Sequence, residues 1–169
     1  MDNMATQMYH YNVWGNEQIF KHLHTLPRET YHQEIQSVFS SISKVLAHVY
    51  LSDLGWLEIL SGKSMNYALS LAKELKEKTE ANGIKEMEIK FKELSDKLQI
   101  FIKQQENLEK DILIKNPSGD QMKMSISEIL LHISNHGTYH RGNITAMLRQ
   151  MGHTSVMTDY GFYLYVKSK

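Results

Sequence analysis

The sequence contains no cysteine among its 169 residues. That excludes a disulfide framework, thiolate metal ligands and a cysteine nucleophile. Any thiol in this protein's chemistry must arrive with a substrate or cofactor. Proline is almost missing too, at 2 residues, so little interrupts long helices. No apolar run approaches the ~18 residues that would span a bilayer. The opening "MDNMATQMYHYNVWGNEQ" lacks the basic-then-apolar order of a signal peptide. Neither sign of charge dominates: 19 Lys and Arg face 19 Asp and Glu. No global field therefore recruits nucleic acid or an anionic membrane. We expect one cytoplasmic domain that works without nucleic acid and without a membrane.

What is present is helical periodicity. Apolar residues recur at roughly helical spacing from about Met4 to Leu26, and Pro27 ends the segment. "PRETYHQEIQSVFSS" reads as a connector. A second helix begins after Ser40 or Ser41, either of which can cap it. Its apolar face carries Ile42, Val45, Leu46, Val49 and Trp56, and Gly62 is its left-handed cap. Lys63 to Gly83 is polar, with room for a short helix around Tyr67 to Lys78. In the third long helix Met87, Phe91, Leu94, Leu98, Phe101, Gln105 and Leu108 alternate steps of four and three, the seam of a bundle. "DILIKNPSGDQMKMS" reads as a β-hairpin around its turn-rich centre. The fourth long helix opens on a capping box, Ser125 to Glu128, and runs to Met151 before Gly152. The tail is a loop and then a short helix capped by Thr158 or Asp159, with a strand as the alternative. The fold class is all-α: a four-helix bundle with long crossover connections and a small hairpin between the third and fourth helices. The link between the second and third long helices can recross the bundle, which would let those two run parallel.

The fourth helix holds His132, His136 and His140 at intervals of four. With 9 histidines in the chain, chance supplies about 0.5 pairs at this interval and about 0.02 triplets, so a pair is weak evidence and the triplet unusual. Two imidazoles one turn apart can grip one divalent ion. The bland alternative is a histidine-rich, partly exposed face. All three cannot share an ion, because offsets of 0, 4 and 8 climb ~12 Å along the axis. Gly137 follows His136, so the glutamate of the His-Glu-x-x-His proteases is missing. A third ligand must come from another helix. His48, on or beside the apolar face of the second helix, is the best candidate; a core histidine bonded to a carbonyl is the alternative. His10, His22, His24, His32 and His153 read as surface or loop residues.

"LAHVYLSDLGW" together with "HISNHGTYHRGNITAMLRQMG" and "GHTS…TDYGFYLY" resembles the DinB-like family of bacterial damage-inducible proteins. Its relatives include bacillithiol- and mycothiol-dependent transferases and isomerases. The resemblance implies a four-helix bundle, usually dimeric, with parallel central helices. It implies a divalent metal held by one histidine of the second helix and an H-x-x-x-H pair of the fourth. Those positions match His48, His136 and His140 here. His132 becomes a neighbour of the pair. Members commonly read His-Arg-Gly-Gln after the second ligand, whereas this chain has the shorter Asn143 at the last position.

The expected function follows. Three neutral imidazoles leave coordination positions open, as catalytic sites do, for water or a substrate thiol. We expect a metal-dependent enzyme, a thiol-dependent S-transferase or hydrolase acting on a small molecule, with a low-molecular-weight thiol as partner. The alternative is a non-catalytic, dimeric metal-binding stress protein. Zn or Ni suits the site, with Fe or Cu compatible. Arg141 could bind a cofactor carboxylate or serve as an ordinary surface or interface arginine. Trp56 could wall a pocket or pack in the core. Tyr139, Asp53, Asp159 and Tyr160 have weaker claims; Asp53 lies about 140° round the helix from His48.

Overall fold

A computed structural model describes residues 3–169. Among them run six α-helices: α1 (Met4–Leu23), α2 (Ile42–Leu60), α3 (Met65–Glu80), α4 (Ile84–Lys103), α5 (Ile126–Gln150) and α6 (Tyr160–Lys167). A two-stranded antiparallel hairpin, β1 (Asp111–Lys115) and β2 (Gln121–Ser125), joins α4 to α5. Its register sets Asp111 opposite Ser125 and Lys115 opposite Gln121. Caps lie where the sequence places them. The Ser41 side chain accepts from the Lys44 amide, and Ser125 and Glu128 cap each other's backbone at the start of α5. Gly62 and Gly152 take left-handed φ values of 93° and 81° after α2 and α5.

Three boundaries differ from expectation. α1 stops at Leu23, a turn short of Leu26. α4 ends at Lys103, so Gln105 and Leu108 lie beyond it; Leu108 still packs on the core, from a turn. The polar stretch after Gly62 holds a helix of 16 residues, longer than expected. Ser64 caps α3 by accepting from the Tyr67 amide, and Ala68 seats it 3.5 Å from where a Cβ on Gly55 of α2 would lie. Small residues at that crossing let the polar α3 pack closely on the apolar α2.

The interior is two apolar cores. One gathers Ala5 and Tyr9 of α1, Leu57 and Leu60 of α2, Leu98 and Ile102 of α4, and Ile126 to Ile133 of α5. The other gathers Ile19 to Leu23, Ile42 to Val49, Met87 and Phe91, and Ile144 to Leu148. The N-terminal halves of α2 and α4 share one core and their C-terminal halves the other. These two helices therefore run parallel, and α1 and α5 run against them. α3 provides the recrossing that the long connection predicts.

A polar layer separates the two cores. Asn12, Asn16, Asp53 and Arg141 are all buried there. Arg141 Nη1 donates to Oδ1 of Asn12 at 2.6 Å and of Asn16 at 2.9 Å, and Nη2 donates to Thr138 Oγ1 at 2.8 Å. Its guanidinium lies over the Tyr11 ring, 5.2 Å from the centroid. Arg141 is thus neither a surface residue nor free for a cofactor carboxylate. Two glycines make room for it. A Cβ on Gly15 would lie 2.8 Å from Arg141 Nε; one on Gly137 would collide with Asn12 Oδ1 and lie 2.9 Å from Arg141 Nη1. Gly137→Ala should therefore destabilise the protein by about 1–3 kcal/mol, as overpacking does. Gly142→Ala, with nothing within 4 Å of its added Cβ, should gain about 0.5–1 kcal/mol from helix propensity. Denaturant melts of the two variants check the opposite signs; equal shifts would contradict the packing account.

Candidate metal centre

α5 presents His136 and His140 one turn apart, in the interval between its two core-facing stretches. α2 brings His48 to the same point. The Nε2 atoms of His48 and His140 each lie 3.1 Å from Nε2 of His136. Ligand atoms of all three residues fall within 4.8 Å of one another. Two nitrogens bound to one ion at about 2.0–2.1 Å lie about 2.9 Å apart at a right angle and about 3.4 Å apart at the tetrahedral angle. The observed spacing falls inside that range. Three converging ring nitrogens also cannot satisfy one another with protons. One N–H···N bond serves two of them, and the third then meets another lone pair or another N–H. A cation resolves the conflict.

The electrostatics favour the same state. Burial, then the charges of neighbouring imidazoles, pushes His136 and His140 down to about 4. Burial and the nearby Lys76 lower His48, and burial lowers His132. All these rings are held neutral, the form that binds metal. The amide nitrogen of Asn143 lies 3.3 Å from His140 Nδ1. A ring that uses Nε2 as ligand carries its proton on Nδ1, and the Asn143 amide, turned over, offers an oxygen to accept it. The shorter side chain thus still reaches the site, through His140. His136 Nδ1 is buried without a partner.

The structure does not make His48 a core histidine, the alternative that its sequence position left open. His48 is exposed, His136 intermediate and His140 buried, so the cluster lies on the flank of α2 and α5. It opens onto a cleft of about 610 Å³ between α2, α3 and the connector before α2. Phe39 of that connector packs 5.3 Å from the His48 ring and 5.6 Å from His140. Sequence reasoning missed Phe39, whose place depends on the folding of a stretch without periodicity.

The remaining candidates separate. His132 stacks 6.0 Å from His136 and lies edge-on to Trp56 at 4.9 Å, outside the converging set. Trp56 both lines the cleft and packs against the core. Tyr139 is 62% exposed with its ring 5.0 Å from His140. Asp53 lines a different cavity, of about 350 Å³, between α1 and α4. Tyr160 packs edge-on to Tyr11 at 5.2 Å, outside the histidine cluster, and Asp159 precedes it as the cap of α6. His22 and His24 bond Thr154 O and Glu88 Oε2, both at 2.7 Å, and His153 lies 3.3 Å from Thr30 Oγ1. No described helix is long and apolar enough to cross a membrane.

Comparison with known proteins agrees with this picture. The chain is 59% identical over 166 residues to Protein DinB of Bacillus subtilis (strain 168), covering 98% of this chain and 96% of that protein. The sequence pattern of the DinB family matches residues 1–169. A match over the whole length, with a histidine triad gathered from two helices, places this chain in the DinB family.

Proposed function

We propose that the protein is a metal-dependent enzyme, a thiol-dependent S-transferase or hydrolase, acting on a small molecule at a Zn or Ni ion held by His48, His136 and His140. One observation carries this reading: three neutral imidazoles converge on one point at the edge of an open cleft. Structural zinc sites are closed by four protein ligands, whereas three leave room for a substrate. An ion bound there would supply Lewis-acid chemistry to that substrate. The chain's own residues do the rest. Asn143 orients His140, Phe39 covers the two outer rings, and the Arg141 layer pins α5 to α1 so that the two α5 histidines keep their place.

In this reading α1, α2, α4 and α5 are a four-helix bundle, and the chain works as a cytoplasmic homodimer. The exposed apolar residues of α6, among them Phe162, Leu164, Tyr165 and Val166, support a surface that a second copy covers.

The test is turnover. Protein stripped of metal and reloaded with Zn or Ni is offered low-molecular-weight thiols with small electrophiles, and separately esters and amides with water alone. Metal-dependent product is expected, falling to background in His140→Ala. A metal-binding chain inert across both panels would remove the enzyme and leave a metal-binding stress protein.

A further inference from the structure

The cleft beside the histidines is not chemically neutral. Its floor is apolar, with Leu51 and Ile59 buried and Trp56 edge-on to the His132 ring. Three lysines line it: Lys44 from α2, and Lys73 and Lys76 from α3. One carboxylate, Glu80, lines it with them. Glu58, Glu74 and Glu77 lie on the same two helices but are not in the lining. The lysines are largely free of acidic partners. Lys76 stands 3.9 Å from Glu80 with its side chain 65% exposed, a loose contact. Lys44 donates to Ser40 Oγ at 2.8 Å. Among the described residues Lys73 makes no ion pair. The chain as a whole carries no net charge, so this concentration of cations is local. A cleft with low-dielectric walls strengthens such a field.

We propose that this cleft is the substrate site of the histidine centre and selects amphipathic anions, with an apolar body on Leu51, Trp56 and Ile59 and an acidic group held by Lys44, Lys73 and Lys76. The inference rests on reading His48, His136 and His140 as the reaction centre. His48 itself lines the cleft, so a molecule seated there meets the histidine centre at that ring. The apolar floor supplies affinity, and the lysines supply discrimination between charged and neutral molecules of the same shape.

The test uses the full chain without metal, so that no probe is held by an ion. Calorimetry compares decanoate with its neutral amide, decanamide, near neutral pH and at low salt. Decanoate should bind about tenfold more tightly. In the double variant Lys73→Glu/Lys76→Glu that preference should vanish, while decanamide binds as before. Both lysines are exposed, so the fold tolerates the change. Equal affinity for the two probes, no binding of either at millimolar concentration, or a preference that survives the double variant would each overturn the proposal. Metal content of the wild-type chain is measured separately. A chain that binds its ion but ignores the carboxylate loses only this inference.

Discussion

Replacing His136 with alanine is expected to remove divalent metal binding. His136 is the hub of the cluster, since its Nε2 is the atom lying 3.1 Å from both other ring nitrogens. Without it, one imidazole remains on α2 and one on α5, with no third donor to complete the site. The loss of one of three ligands should lower affinity about 100-fold or more. Two readouts check it. Metal analysis of purified protein should find about one ion per chain, and far less in the variant. A ligand present at 1,000 times its dissociation constant stabilises the folded state by about 4 kcal/mol, and one at 10 times by about 1.4 kcal/mol, so added Zn or Ni should raise the melting temperature of His136→Ala by at most about a third of the wild-type shift. His132→Ala is the control. Its ring stacks on His136 but lies outside the converging set, so it should keep the ion. A His48→Ala protein with full metal affinity would show that the third ligand has been misassigned.

Asp53→Asn should stabilise the protein, and the gain should grow with pH. Asp53 is buried, its Oδ1 has no hydrogen-bond partner, and burial raises its pKa from 3.8 to about 8, against the opposing charge of Arg141. Below about pH 4 the carboxyl is protonated in both folded and unfolded chains and costs nothing extra. Between about pH 4 and 8 the unfolded chain releases the proton and the folded chain retains it, so stability falls as pH rises. Above the folded value of about 8 the loss is complete. The full shift sets a ceiling of about 6 kcal/mol at about 1.4 kcal/mol per unit. We expect a gain of at least about 2 kcal/mol near pH 9, and little difference between the two proteins below pH 4. Paired denaturant titrations across that range isolate the Asp53 contribution from other titrating groups. A stability difference that stays flat with pH would mean that Asp53 is ionised in the fold throughout, matched by Arg141.

The origin of that cost explains why sequence reading misjudged the middle of the protein. Arg141 and Asp53 are charged residues on amphipathic helices, and charged residues usually face water. Nothing local marks Arg141 as buried. Its partners Asn12 and Asn16 are 129 and 125 residues away. The one sequence trace is a pair of glycines, Gly15 and Gly137, inside strongly helical stretches where glycine costs stability. Such glycines call for a packing reason, and the guanidinium they accommodate is that reason.

Local interactions made much of the fold legible in the sequence. The Ser41 cap, the Ser125–Glu128 box, the left-handed Gly62 and Gly152, the hairpin and the seam of α4 depend on residues a few positions apart. The His136/His140 pair is legible for the same reason, since one helical turn suffices to align it. Its partner is not local. His48 lies 88 residues from His136; its place on or beside the apolar face of its helix made it the best candidate, and family resemblance points to the same residue. Tertiary structure alone decided three further things: that the triad lies at an open flank and not in a sealed core, that Phe39 and three lysines stand beside it, and that Arg141 is walled in by the helices it joins. Periodicity tells which residues share a face of one helix. Which faces meet, and what is trapped between them, is set by packing among helices distant in the chain.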